Sequence, residues 1–188
     1  MDPDTASALA FCRRAVARLA RVEAGDAAPP ATAGEDAPVE RALGNGFVAD
    51  YVVPEDERLL PVRPAHLCAA GLAVEALHEA ALANLAALVQ ARAEVHHYGR
   101  IHAVLMGADL EASVLLCDPF WDAWHTALAP GGFVAAIPGR DVLAFGDAAS
   151  AGALRELDDL CTRMAPALEE PLAERLYRRI DGRWIAMS

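Results

Sequence analysis

Two apolar runs that flank a Pro-Gly pair constrain the fold of this chain more than any other feature. They are FVAAI at residues 133–137 and VLAF at residues 142–145. Neither run alternates between apolar and polar residues, which is typical of strands covered on both faces of a sheet. Pro138 and Gly139 fit the second and third positions of a type II turn. The sequence therefore predicts a central hairpin whose turn holds Arg140 and Asp141, either as a site or as an ion pair that closes the end of the sheet.

Other turn and helix signals extend this hairpin to a fold class. Short turn segments between apolar runs predict three further hairpins, at Pro54–Glu57, Gly99-Arg100 and Asp181-Gly182. Periodic apolar residues predict helices at residues 64–70, 72–92, 118–128 and 151–165. We expect an α+β domain in which a largely antiparallel sheet, built from hairpins, packs against three to four helices.

The chain divides into three predicted segments. Residues 1–23 form an amphipathic helix, and its polar face carries Arg13, Arg14, Arg18 and Arg21. Residues 24–42 are expected to be a flexible linker, because Gly25 to Pro38 is made of Ala, Pro, Gly and acidic residues with no large apolar residue to anchor it. The α+β domain takes residues 43–188.

The charge balance limits the classes of partner. The net charge of −11 argues against a general nucleic-acid binder, because neutralising phosphates requires a basic surface. An acidic body of this kind attracts basic partners. We therefore expect a protein partner with a basic surface and no nucleic acid.

The distribution of apolar residues and arginines along the chain favours a cytoplasmic protein. No uninterrupted apolar run reaches the roughly 18 residues of a membrane span, and arginines interrupt the first twenty residues, where a secretory signal needs an apolar core.

The cysteines are widely spaced and lie among apolar neighbours, so all four are expected to be buried, unreactive thiols: Cys12, Cys68, Cys117 and Cys161.

Asn84 interrupts the apolar face of the predicted helix at residues 72–92. An amide without partners in that position would cost about 1–3 kcal/mol, so we expect it to be hydrogen-bonded. One interpretation is that it ties down a neighbouring backbone loop, and the other is that it binds a ligand.

His97 and His102 are predicted to face each other across the Gly99-Arg100 hairpin. Side chains directly opposite in an antiparallel pair lie about 4.5–5.5 Å apart at Cβ, which is close enough to share a metal ion. No sequence spacing supplies a third ligand, so an exposed or stacked pair is the favoured interpretation, and no cofactor is predicted.

The segment at residues 111–128 holds the candidate acid and base groups. Glu111 precedes an apolar run that is either a strand or an early helical turn, and Asp118 is predicted as the N-cap of the following helix, with Pro119 at its first position. That helix presents aromatic side chains, including Trp121, to the core or to a groove.

Four segments together resemble the YtpQ-like family of bacterial proteins of unknown function. They are Ala-Leu-Ala-Asn-Leu (81–85), Glu-Ala-Ser (111–113) before the apolar run that ends in Asp118, Ala-Ile-Pro-Gly-Arg-Asp-Val-Leu (136–143), and Leu-Tyr-Arg-Arg with Asp-Gly-Arg-Trp (176–184). The resemblance covers about residues 43–185, and the Arg-Asp turn is its most specific part. It implies a cytoplasmic bacterial protein with an α+β domain, and it brings no established activity.

Two functions remain open from the sequence. The first is a non-catalytic binding or regulatory module for a protein partner, since no phosphate loop, nucleophile elbow or zinc-protease motif is present. The alternative is an enzyme in which Glu111 or Asp118 serves as acid or base, with Asp141 as a further candidate, and Arg140 clamps an anion. In that enzyme Asn84 and Trp121 would contact the ligand. An enzyme should gather these side chains around one pocket, whereas a module should expose an apolar or acidic surface.

Overall fold

The computed structural model describes residues 3–22, 36–56, 58–107 and 109–187. The chain forms two compact units, Met1–Ala87 and Leu88–Ser188. The predicted α+β class is confirmed, with antiparallel strands in two sheets instead of the single sheet that was expected.

The first unit contains a four-stranded sheet, one helix that precedes its strands in the sequence and two helices that follow them. Its elements are α1 (Pro3–Arg13), β1 (Val16–Arg21), β2 (Glu40–Gly44), β3 (Phe47–Glu55), β4 (Arg58–Pro61), α2 (Pro64–Ala70) and α3 (Val74–Arg92), whose last residues belong to the second unit. Strand β3 is central. Strand β1 pairs with one of its edges, and β2 and β4 pair with successive parts of its opposite edge. The first seven of the nine residues of β3, Phe47 to Val53, are all buried and six of them are apolar, as a central strand requires.

The predicted helix at residues 1–23 is wrong beyond Arg13. Residues Val16–Arg21 form β1, which pairs antiparallel with β3 over its whole length. The reason is long-range: pairing with β3 buries Val16 and Leu19 and completes the backbone hydrogen bonds of both strands.

The predicted linker and domain boundary also change. Residues 24–35 of the linker lie outside the described residues, so the prediction of flexibility stays a prediction there. The boundary at residue 43 is wrong, since β2 begins at Glu40 and β1 precedes it in the same sheet.

Arg18 does not lie on a solvated arginine face. Its Nε donates to Oδ1 of Asp50 at 2.9 Å, and its Nη2 donates to Oδ2 of the same carboxylate. The side chain of Asp50 is only 5% exposed, and Arg18 supplies a charged hydrogen-bond partner for this buried carboxylate. Arg14 instead makes an exposed pair with Glu55.

The second unit is a six-stranded antiparallel sheet with a helix on each face. Its elements are β5 (Glu94–Tyr98), β6 (Ile101–Leu105), a 3₁₀ turn (Ala112–Leu116), α4 (Asp118–Leu128), β7 (Phe133–Ala136), β8 (Leu143–Asp147), α5 (Ala151–Met164), a 3₁₀ turn (Ala165–Ala167), β9 (Tyr177–Ile180) and β10 (Arg183–Ala186). The strand order is β10-β9-β7-β8-β6-β5. The predicted central hairpin is therefore confirmed as β7–β8.

Both faces of β7 and β8 are buried because each is covered by a helix. On one face, the ring of Trp121 from α4 lies 4.9 Å from that of Phe133 and 5.3 Å from that of Phe145. On the other face, Leu157 and Cys161 of α5 pack against Val134, Ala136 and Ala144. Helix α5 approaches so closely that a Cβ at position 146 would lie 2.9 Å from Cβ of Ala153, and glycine occupies that position.

The predicted type II turn between β7 and β8 is wrong. Gly139 is not among the residues with positive φ, which a type II turn requires at its third position. The turn lies two residues later in the chain than predicted, and in it Val142 N donates to Gly139 O at 3.3 Å. Two distant backbone groups hold this segment, because Leu172 N donates to Pro138 O at 2.8 Å and Ala112 N donates to Arg140 O at 3.0 Å.

The remaining hairpins follow their turn residues. Gly99 has φ of 61°, and the register pairs Tyr98 with Ile101 and His97 with His102, as predicted. Asp181 and Gly182 both have positive φ, as a type I′ turn requires. The β3–β4 turn is tighter than predicted, because Pro54 and Glu55 belong to β3 and pair with β4. Within the described residues, no single helix is long and apolar enough to cross a membrane. Helices α2 and α3 have the required length and hydropathy only when taken together, and they are bent by 101° where they meet.

We expect the buried pair of Arg18 and Asp50 to matter far more for stability than the exposed pair of Arg14 and Glu55. Arg18→Met should lower the free energy of unfolding by about 3–5 kcal/mol, because it leaves the Asp50 carboxylate buried without its partner. Arg14→Met should change it by less than about 1 kcal/mol. Urea denaturation followed by circular dichroism measures both, and equal effects of the two substitutions would contradict this account.

Candidate functional site

Both carboxylate oxygens of Glu111 are bound by backbone N–H groups. Oε1 accepts from Met106 at 2.9 Å and from Gly107 at 2.7 Å, and Oε2 accepts from Leu110 at 3.1 Å. The residue is only 4% exposed. Glu111 therefore organises the loop after β6, and its oxygens are not presented to a substrate.

Asp118 is the first residue of α4 and not its N-cap, a shift of one residue that is within the usual uncertainty of helix ends. Its carboxylate is turned to the sheet, where Oδ1 accepts from Arg179 Nη2 at 2.8 Å. The other terminal nitrogen of Arg179 donates to Oδ1 of Asp122 at 3.0 Å. Sequence reasoning missed Arg179, because its partners lie 57 and 61 residues away in the chain.

The Arg140-Asp141 turn forms neither an enclosed anion site nor an internal ion pair. Arg140 Nη1 lies 3.2 Å from Oε2 of Glu170, and both side chains are substantially exposed. Asp141 is exposed at the tip of the turn. The predicted ion pair is therefore corrected, since the partner of Arg140 comes from the segment after α5.

Trp121 is fully buried, so the predicted ligand contact at this residue is wrong. Its Nε1 donates to Val114 O at 2.8 Å, and its ring is packed edge-on against Phe120, Phe133, Phe145 and Trp184. The indole is the centre of an aromatic core between α4 and the sheet.

Asn84 is a structural amide in the first unit. Its Nδ2 donates to Arg13 O and to Ala15 O, each at 2.8 Å, which holds the link between α1 and β1. Of the two interpretations offered by the sequence, the one in which the amide ties down a backbone loop is confirmed. Asn84 lies in the first unit and the other predicted catalytic and ligand-binding residues lie in the second, where Glu111, Asp118 and Trp121 are each bound by other protein groups.

A groove lies between the β5–β6 hairpin and α4 in the second unit. It has a volume of about 550 Å³, and its lining is mainly apolar: Val95, His97, His102, Trp124, Ala127 and Leu128. Trp124 is 39% exposed there. The sequence allowed this helix to face a groove, and the spacing of Trp124, Ala127 and Leu128 on one helical face is the signal that could have located it.

The two histidines in the groove are in contact, as their predicted register requires. Nδ1 of His97 lies 3.4 Å from Nδ1 of His102, and the two ring centroids are 4.8 Å apart. His102 also stacks on Phe145 at 5.1 Å. Burial, and to a lesser degree the neighbouring His97, lowers the pKa of His102 below its ordinary value. Within the described parts of the chain, no group of three or more His, Cys, Asp or Glu side chains could hold a metal ion.

A second groove of about 860 Å³ lies in the first unit. Residues of β2, α2 and the start of α3 line it, among them Arg41, Leu67, Cys68 and Glu75. Cys68 is exposed there, so the prediction that all four cysteines are buried is wrong for this one. The other three are buried, and burial raises the pKa of the Cys161 thiol to about 11.

Comparison with known proteins finds no matching family model, no similar curated protein and no similar solved structure. The resemblance to the YtpQ-like family therefore stays a prediction. The function has to be argued from the groove, the edges of the sheet and the charge.

We expect Asn84→Leu to lower the free energy of unfolding by about 1–3 kcal/mol, because the carbonyls of Arg13 and Ala15 lose their donor. Gln90→Leu is the matched control, since this amide is exposed on the same helix and a change there should stay within about 0.5 kcal/mol. Thermal and urea denaturation compare the two, and similar values for both variants would argue against a structural role for Asn84.

We also expect Glu111→Gln to destabilise the chain by about 1.5–3 kcal/mol, because an amide NH₂ replaces one oxygen that accepts a backbone N–H. Glu170→Gln, at the exposed partner of Arg140, should cost less than about 1 kcal/mol. The measurement is urea denaturation of both variants. A Glu111→Gln variant as stable as the wild type would mean that the carboxylate is free for chemistry.

Proposed function

We propose that the chain is a non-catalytic cytoplasmic binding module, and that it takes an extended, basic segment of a protein partner along strand β5. The observation that carries this proposal is the juxtaposition of an edge strand with an apolar groove. Strand β5 ends the six-stranded sheet, with β6 as its strand neighbour, and its side chains help to line the groove in front of α4.

The register leaves hydrogen-bonding groups of β5 directed away from the sheet. Tyr98 and Ile101 close a two-residue hairpin, so they form a hydrogen-bonded pair, and the pattern alternates along the strand. The backbone groups of Val95 and His97 then point to the open side. An added strand could pair with these groups, which is a common way in which domains bind extended peptides.

The groove would supply the side-chain contacts that such pairing lacks. Residues of an added strand that lie opposite Val95 and His97 face the same side of the sheet as these two residues. That side carries the groove, with Trp124 exposed in its wall. Alternate apolar side chains of the bound segment would therefore be buried against Trp124 and Leu128.

The charge of the second unit favours a basic segment. Residues 88–188 contain nine arginines and fourteen Asp and Glu residues, a formal charge of −5. Glu94 lies on β5 itself with its side chain 76% exposed. Attraction between opposite charges raises the association rate of such a partner and disfavours nucleic acid.

An enzyme that uses Glu111 or Asp118 as acid or base is less well supported. Glu111 accepts three backbone hydrogen bonds, and Asp118 is bound to Arg179. Neither carboxylate lines either of the two grooves. As part of the same proposal, we place the chain with the YtpQ-like proteins, on the strength of the Arg-Asp turn segment.

A proline in β5 tests the pairing. We expect Val95→Pro to weaken peptide binding about tenfold or more, because the ring removes an N–H that faces the partner and not one that pairs with β6. Trp124→Ala should weaken it similarly through the groove. The probes are peptides selected from a random-sequence display library on the full chain, with affinities measured by fluorescence anisotropy.

Ala186→Pro is the matched control, because Ala186 occupies the equivalent outward position on β10, the strand at the other end of the sheet. It should leave peptide affinity unchanged. Failure to select any peptide, or equal loss of affinity in the Val95, Trp124 and Ala186 variants, would contradict the proposal.

A further inference from the structure

The contact between His97 and His102 has the geometry of a chelating pair. Nδ1 of one ring lies 3.4 Å from Nδ1 of the other. At this distance the two rings share at most a long hydrogen bond, which a bound ion would replace. Two zinc–imidazole bonds of about 2.0–2.1 Å, at a tetrahedral angle of about 109°, separate their nitrogens by about 3.3–3.4 Å. The pair therefore has the spacing that one ion would impose.

We infer that His97 and His102 bind a divalent transition-metal ion of the zinc class through their Nδ1 atoms, at the wall of the β5–β6 and α4 groove. Imidazole nitrogen suits Zn²⁺, Cu²⁺ and Ni²⁺, whereas Mg²⁺ and Ca²⁺ prefer oxygen. The tight two-residue hairpin fixes the backbone positions of both residues, which limits the ordering that is needed when the ion binds.

The rest of the pocket keeps one ligand in place and leaves coordination positions open. His102 is stacked on the buried ring of Phe145, which limits its rotation. The described residues contain no cluster of three or more potential ligands, so among them His97 and His102 supply two, and water or an incoming donor group completes the shell. The open positions face the groove that Val95, Trp124 and Leu128 line.

Zinc titration of the untagged full chain by isothermal titration calorimetry tests the inference. We expect about one Zn²⁺ to bind per chain, and His97→Gln and His102→Gln each to weaken binding by about tenfold or more, because each removes one of two protein ligands. His96→Gln is the matched control. It changes the adjacent imidazole of the same strand, which faces the opposite side of the sheet and contacts Glu94.

Nitrogen-15 spectra of the imidazoles supply a readout at the level of single atoms. Zinc should shift Nδ1 of both His97 and His102 and leave the His96 ring unchanged. His97 is exposed, so His97→Gln decides the question even where His102→Gln disturbs the stacking on Phe145. No zinc binding to the wild-type chain, or binding that His97→Gln leaves unchanged, would overturn the inference. Because no peptide is present, this outcome is independent of the proposed peptide binding.

Discussion

Burial of β7 and β8 on both faces is the constraint on which the second unit depends. Two strands made almost entirely of apolar residues cannot leave either face in water, so helices are required on both sides. Trp121 supplies the largest buried surface on one side, and Leu157 and Cys161 supply the packing on the other. The outer strands extend this sandwich, and the concave surface is left where α4 no longer covers β5 and β6.

The features that the sequence predicted correctly are those decided by neighbouring residues. The Gly99-Arg100 turn fixes the register of its hairpin, and that register alone places His97 opposite His102. Asp181 and Gly182 specify their turn in the same way. Asn84 was recognisable because a polar residue on an apolar helical face must have partners, although the identity of those partners was not.

The features that the sequence did not reveal depend on residues far apart in the chain. Val16–Arg21 has apolar residues compatible with a helix, and only its pairing with β3 makes it a strand. Gly139 follows Pro138 as in a type II turn, yet bonds from Leu172 and Ala112 hold the backbone in another shape. The groove needs β5, β6 and α4 to be brought together through β8, and no local pattern contains that information. For the same reason, Glu111 looked like a free acid until its three backbone donors were known.

A strand with polar backbone groups on its open side also affects how copies of the chain behave toward one another. Uncovered edges invite sheet-to-sheet joining, and natural proteins commonly protect them with charged residues. On β5, Tyr98 is 55% exposed, and the strand contains one acidic residue, Glu94, and no lysine or arginine. Protection against aggregation then falls to the overall charge of −11, whose repulsion weakens as salt screens it. The colloidal stability of this protein is therefore tied to ionic strength through the same strand that offers it a binding surface.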